Sequence, residues 1–333
     1  MILAGDTDPR NISLMKKAAA LSLLLAGIAL AGCGSSSSST SSTSNAANSS
    51  PATNAAASAS CPHSPVRFAV EPYDTGPALE GAYKSLAADL SAKLGCPVQL
   101  IISNSYVAEI ETMRAGQLEL GEFGPLGYVL AHELANAQPI AAFGDVSGKP
   151  DTYTAGIWVP KSSPIKNLSQ LKGKTIALSS TTSTSGGLYP ISALISAGFK
   201  CTPSGCQGVT VKFAGSHTAS LLALTHGTVD AAEVNSQQQA SATKAKQFNA
   251  ADYRQIWKST AIINDPITVN GGLPAAFQAK VKAALLGLTA AQVSTVDTEL
   301  GTASNGPMVA ADNALYDQVR AVANTVHLKT SDL

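Results

Sequence analysis

Apolar positions along the chain fall into short runs separated by stretches of helical spacing. Val66 to Val70 is a compact apolar run that stops at Glu71 and Pro72, the pattern of a strand followed by a turn. From about Gly76 to Leu94, residues Leu79, Tyr83, Leu86, Leu90 and Leu94 recur every three or four positions and predict a helix. Val98 to Ile102 predicts a second strand, residues 106–116 a helix, Leu118 to Phe123 a third strand and residues 125–135 another helix. Ile140 to Phe143 and Tyr153 to Val159 read as further strands. The pattern pauses at Pro160-Lys161-Ser162-Ser163-Pro164 and restarts with strands at Thr175–Leu178, Val209–Phe213, Val229–Val234 and Arg254–Trp257. Helices are predicted between them at Thr218–His226 and 237–248, and beyond Pro266 near 274–287, 289–299 and 310–325. This alternation is an α/β signature with a mostly parallel sheet. The restart at 160 and the return at 266 divide the folded part into two α/β lobes, 61–159 with 266–333 and 160–265. Two crossovers between lobes make a hinge and a cleft, the usual place for a small ligand.

The stretch Ser179-Ser180-Thr181-Thr182-Ser183-Thr184-Ser185-Gly186-Gly187 stands between the strand at 175 and a helical pattern carrying Leu188, Ile191, Leu194 and Ile195. Strand, hydroxyl-rich turn and helix put unpaired backbone N–H groups and a positive dipole end beside several hydroxyl donors. An oxyanion is the natural occupant. An ordinary capped turn has the same composition, so both readings stand at this point.

Ahead of the folded part, Met15-Lys16-Lys17 precedes an apolar stretch at 18–31 that ends in Leu30-Ala31-Gly32-Cys33. This describes a secretory signal over 1–32, with Met15 the expected start. The box resembles the bacterial lipoprotein signal, in which the cysteine, here Cys33, is lipidated and anchors the chain to the outer face of the membrane. Residues 34–60 are nearly all Ser, Thr, Ala and Asn, a flexible tether from Cys33. The chain has 22 basic and 22 acidic residues, which recommends no nucleic-acid partner. Four cysteines remain, and an even number in an exported chain favours disulfides. Cys201 and Cys206 bracket a short loop and are expected to pair, leaving Cys61 with Cys96; a zinc half-site lacks companion ligands. No Ser-His-Asp set, metal cluster or working carboxylate pair is legible, so neither an enzyme nor a cofactor is expected.

From Val66 to about Val326 the chain resembles the phosphate/phosphite/phosphonate-binding family, the substrate-binding components of phosphonate ABC transporters. The resemblance is carried by Tyr106 with Met113-Arg114-Ala115-Gly116, by Glu122 to Ala131, and by Ser163 to Gly173. Ser183 to Gly186, Gly215-Ser216-His217, and Lys258-Ser259 with Asn264-Asp265-Pro266 continue it in the same order. It implies a periplasmic-binding-protein fold, two α/β lobes with a hinge and an interlobe ligand cleft, and a membrane permease as partner. A sensor subunit of a membrane signalling system is the alternative, since related folds serve there. The implied oxyanion ligands are Ser183, Thr184 and Ser185, closed over by His217, Tyr106 and Tyr153, with Asp265 facing the ligand. In relatives that bind aminoalkyl phosphonates a Glu stands where this chain has Gln237, which favours phosphate, phosphite or a small alkyl phosphonate here. Tyr73, Asp74 and Glu122 are candidates for the rim, and Glu233 for the hinge or an interface.

Overall fold

Strand β1 (Val66–Val70) leads to helix α1 (Pro77–Leu94), which starts on a proline and stops at Gly95 in the left-handed conformation. The helix turns Leu79, Tyr83, Leu86, Leu90 and Leu94 inward. Leu86 and Leu90 are fully buried, so truncating either to alanine costs about 2–5 kcal/mol. In a computed structural model, which describes residues 61–73, 76–302 and 305–330, the chain continues with β2 (Val98–Ile102), α2 (Tyr106–Arg114), β3 (Leu120–Glu122), α3 (Pro125–Ala135) and β4 (Ala137–Phe143). Then come β5 (Thr152–Tyr153), β6 (Gly156–Pro160), β7 (Thr175–Leu178), α4 (Tyr189–Ser196), β8 (Cys201–Thr202), β9 (Gly205–Cys206) and β10 (Thr210–Phe213). After α5 (His217–Thr225), β11 (Ala231–Glu233) and α6 (Ser236–Lys244) the chain forms β12 (Tyr253–Lys258), β13 (Ile262–Ile263) and β14 (Pro266–Asn270). It closes with α7 (Ala275–Leu286), α8 (Ala290–Leu300), β15 (Met308–Ala310) and α9 (Asp317–Val326). The expected signal segment, Cys33, the tether and Asp74 lie outside the described residues. Among the described residues no helix is long and apolar enough to cross a membrane.

Two sheets organise these elements, one in the order β15-β4-β14-β3-β1-β2 and the other β10-β7-β11-β6-β12. Helices α1, α7 and α8 cover one face of the first sheet, with Phe68, Leu120, Ile267 and Phe277 in their shared core. A second apolar cluster runs from Leu126 and Tyr128 on α3 to Leu188 and Ile191 at the start of α4, so both lobes contribute to it. The chain crosses between sheets twice, and the crossings pair with each other: β5 and β13 are antiparallel, with Ile262 opposite Tyr153.

Three expectations change. The strand expected at 153–159 is split, and Gly156–Pro160 joins the second sheet between β11 and β12. By sheet membership the first crossing therefore comes before Gly156, not after residue 159. The sheets are mixed: β1–β2, β1–β3, β7–β10 and β7–β11 are parallel, whereas the strands that follow each crossing run antiparallel to their neighbours. The helix expected from 310 begins at Asp317, because Met308–Ala310 pairs with the end of β4. The structure bonds Cys61 to Cys96 and Cys201 to Cys206, the latter across the β8–β9 hairpin.

Candidate functional site

The hydroxyl stretch follows β7 and enters a π-helical turn, Thr184–Leu188, that runs directly into α4. Ser183 is its N-cap: the Ser183 Oγ accepts from the Gly186 N–H at 3.2 Å. A Cβ on Gly186 would lie 2.4 Å from the Ser179 Cβ and 2.8 Å from the His217 ring, so only glycine lets the turn close here. The bland reading of this stretch as a cap thus holds for Ser183. Thr184 does something else. Its Oγ1 accepts from the Leu126 N–H at 2.8 Å, and Leu126 belongs to the first turn of α3 on the other lobe. A hydroxyl that accepts there still has its own hydrogen to donate, and the Tyr153 phenol lies within its reach.

His217 is the first residue of α5, whose N-cap Ser216 accepts from Ala219 N–H. Its Nδ1 lies 2.8 Å from the Glu233 Oε1, both groups almost wholly buried, and its Nε2 lies 3.2 Å from the Ser183 Oγ. Glu233 therefore packs behind the site and holds the imidazole, in place of the hinge or interface role read from sequence. Burial pushes the Glu233 carboxyl up and the neighbouring His217 pulls it back. The Ser183–His217–Glu233 connection has the order of a nucleophile relay that the sequence did not reveal, with Glu in the third position. Its serine is already fixed as a helix cap.

Ser183, Thr184 and His217 with nine other residues enclose one small cavity, about 10 Å³ in volume, lined by Glu71, Tyr73, Tyr106, Gly124, Tyr153, Ser183, Thr184, Ser185, His217, Asn235, Gln237 and Asp265. That is room for about one water-sized sphere in the closed form, so the site suits a compact ligand. The structure brings all eight residues expected from the resemblance to this one place: Tyr106, Tyr153, Ser183, Thr184, Ser185, His217, Gln237 and Asp265. Tyr106 opens α2, and its buried hydroxyl lies beside the Ser179 and Ser183 hydroxyls without a well-formed hydrogen bond. Tyr153 and Asp265 stand on the two crossings. Burial holds both phenols far above their ordinary range, so each remains a neutral donor. Burial also pushes Asp265 up to about 7, against the pull of His217. The Gln237 amide donates to the Asn264 Oδ1 at 3.2 Å.

Of the rim candidates, Tyr73 lines the cavity, its ring centroid 4.9 Å from that of His217. Glu122 does not: it is buried behind the site, where the Tyr83 hydroxyl donates to it. Sequence reasoning missed Asn235 and Glu71. Asn235 caps α6 through its Oδ1, which accepts from Gln238 N–H, while its Nδ2 donates to the Ser185 Oγ. An Asn just after a strand and ahead of a helical run is a cap signal, and it could have been read. Glu71 sits in a Glu-Pro pair that reads as a turn. Among the described residues no lysine or arginine lines the cavity.

Two α/β lobes crossed twice by the chain and closed over a small polar cavity define a periplasmic-binding-protein fold with a binding site. The chain belongs to the family of phosphonate ABC transporter periplasmic substrate-binding proteins, whose model matches residues 68–316. It is 27% identical over 214 residues to the phosphate-import protein PhnD of Mycolicibacterium smegmatis, covering 62% of this chain and 67% of that one. It is 30% identical over 183 residues to the phosphonates-binding periplasmic protein of Escherichia coli, covering 54% of this chain and 53% of the relative. The fold is shared with PhnD1 from Prochlorococcus marinus in complex with methylphosphonate, at TM-score 0.67 and 21% identity over 79% of this chain and 98% of that one. It is shared also with a binding-protein component of the ABC phosphonate transporter of Pseudomonas aeruginosa, at TM-score 0.68 and 21% identity over 80% and 87%. The protein is thus an extracytoplasmic binding protein of an ABC transporter and not an enzyme.

Proposed function

We propose that this chain captures one small phosphorus oxyanion, phosphate, phosphite or a short alkyl phosphonate, in the cavity between its lobes and presents it to the permease of an ABC importer. The observation that carries this reading is the convergence of donors. Three hydroxyls of one turn, two phenols and an imidazole face one cavity of about 10 Å³. Hydrogen bonds from fixed donors to a charged oxygen are the strong kind, about 1.5–3 kcal/mol each. Donors that surround a tetrahedral group select by shape as well as by charge. Ser183, Thr184 and Ser185 come from one lobe, Tyr106 from the other, and Tyr153 from a crossing, so the ligand is held only when the lobes are together. Gln237, whose amide is engaged with Asn264, adds no charge that would favour an amine-bearing ligand.

Titration calorimetry of the purified protein against phosphate, phosphite, methylphosphonate, aminoethylphosphonate, sulfate and arsenite tests the assignment. One site is expected for at least one of the first three, with sulfate and arsenite more than tenfold weaker. No heat from any phosphorus compound would overturn it. We also propose that Cys33 is lipidated and holds the protein at the outer face of the membrane. A mature N-terminus at Cys33 bearing acyl mass in membrane extracts is expected, and an unmodified N-terminus elsewhere would refute it.

A further inference from the structure

Glu71 follows the end of β1 and is 6% exposed, yet it lines the cavity beside Asp265. Its carboxyl group is wedged against the first turn of α3. A Cβ on Gly124 would come within 3.0 Å of the Glu71 Oε2, and one on Gly127 within 2.3 Å of Oε1. The two glycines make the space that Glu71 fills. The Gly124 N–H donates to the carboxyl, while Oε1 has no partner in the protein. The groups that face it are all acids or neutral phenols: Asp265 from the second crossing, Glu109 from α2, Glu122 from β3, and Tyr106 and Tyr153. The one basic side chain in the described lining, His217, acts on Asp265 and is already engaged with Glu233.

We propose that Glu71 is a ligand contact that shares one proton with the bound oxyanion, so that capture is coupled to proton uptake and is confined to tetrahedral oxyanions that form such a shared O–H···O bond. This rests on the proposed function above. An ionised Glu71, an ionised Asp265 and an anionic ligand in one water-excluded cavity would repel one another, with no lysine or arginine to offset them. One proton from solvent, placed between a carboxyl oxygen and a ligand oxygen, replaces that repulsion with a short charge-assisted hydrogen bond. No other atom moves. The proton belongs to the pair and not to either partner alone. Burial and the neighbouring carboxylates hold Glu71 well above the usual carboxylate range, in keeping with this role.

The test is calorimetry with inorganic phosphate and with methylphosphonate, each in buffers of different ionisation enthalpy at pH 6 and pH 8. The slope of observed heat against buffer enthalpy counts protons taken up per ligand. Net uptake is expected for the wild type at pH 8. In Glu71→Gln, which keeps the shape and cannot exchange a proton, uptake falls by close to one. Its affinity should also depend on pH less steeply, by up to about tenfold per pH unit. Equal uptake in Glu71→Gln and wild type, or none in the wild type at either pH, overturns the proposal. Should Glu71→Gln fail to fold, Asp265→Asn decides: uptake that persists supports Glu71, and uptake that vanishes refutes it. Failure of both compounds to bind the wild type would overturn the functional reading itself, and this proposal with it.

Discussion

Replacing Thr184 with valine removes a hydroxyl and keeps the shape, and the structure gives that hydroxyl two separate tasks. It accepts from the Leu126 N–H of the opposite lobe at 2.8 Å, and it lines the cavity beside the Tyr153 phenol, where its hydrogen can be given to a bound oxyanion. Loss of a donor to a charged oxygen costs about 1.5–3 kcal/mol. Loss of the acceptor leaves the Leu126 N–H buried without a partner, about 1–3 kcal/mol more, and only when the lobes are closed. Both terms therefore fall on the ligand-bound form. Together they weaken the oxyanion by roughly a hundredfold to ten-thousandfold. Thr184→Ser keeps both bonds and gives up one methyl group, worth about 1 kcal/mol or less, so it stays within about tenfold of wild type. Calorimetry with the tightest-binding phosphorus compound, run on wild type and both variants, separates these outcomes. A Thr184→Val protein within about threefold of wild type would show that the hydroxyl serves neither ligand nor closure.

Further outcomes follow from the same geometry. Glu233→Gln removes the carboxyl group that positions the His217 imidazole at 2.8 Å, and phosphate affinity should fall by about tenfold or more; a titration within twofold of wild type would refute this. Gln237→Glu adds a third carboxyl to a cavity that holds Glu71 and Asp265, so phosphate and phosphite should weaken by more than tenfold while aminoethylphosphonate gains relative to both; an unchanged ranking would show that position 237 does not set the ligand. Asp265 keeps its proton to about 7 when buried and only to about 4 when unfolded. Its stabilising contribution is thus complete below about pH 4 and is lost as pH rises through about 7, with Glu71 and Glu109 pushing in the same direction. The unliganded melting temperature should fall over that window and fall less in Asp265→Asn. Reduction of the Cys61–Cys96 bond, which closes a separation of 35 residues, should cost about 3 kcal/mol or more, read as the shift in unfolding midpoint with and without reductant.

How far the site was legible depended on how local its signals are. The turn at 183–185 announces itself by hydroxyls between a strand and a helix, and His217 by its place at the start of another helix. Tyr106, Tyr153, Gln237 and Asp265 carry no such mark, because a tyrosine beside a strand usually packs and Asn-Asp-Pro is a turn in its own right; the family resemblance pointed to them. Glu71 was not legible by either route. Its burial is decided by Gly124 and Gly127, about fifty residues further on, and by Asp265 on the far crossing. The sheet to which Gly156–Pro160 belongs is a non-local fact of the same kind. The run Ile157, Trp158 and Val159 is apolar in either sheet, and only its pairing with Ala232 and Gln255 fixes the choice. Strand direction was misjudged for the same reason, since a short apolar run carries no sign of which way its neighbours point.

The distribution of these groups over the fold ties recognition to closure. Tyr106 belongs to the lobe of α2, the hydroxyl turn to the lobe of β7, and Tyr153 and Asp265 to the paired crossings, the place where a hinge between two such lobes would lie. In the closed arrangement the buried Tyr106 hydroxyl meets only the Ser179 and Ser183 hydroxyls, short of a well-formed hydrogen bond, and a buried hydroxyl without one costs about 1–3 kcal/mol. Glu71 and Asp265 add mutual repulsion. In the complex proposed above each of these penalties falls away, because the oxyanion supplies an acceptor to the phenol and shares a proton taken up from solvent with a carboxyl. A ligand that satisfies one lobe alone leaves the penalties in place and gains nothing from closing. On the function proposed above, discrimination would reside in the closing step, where the same oxygen atoms must meet donors from both sheets at once, and a membrane partner that reads only the closed form would read the identity of the ligand with it.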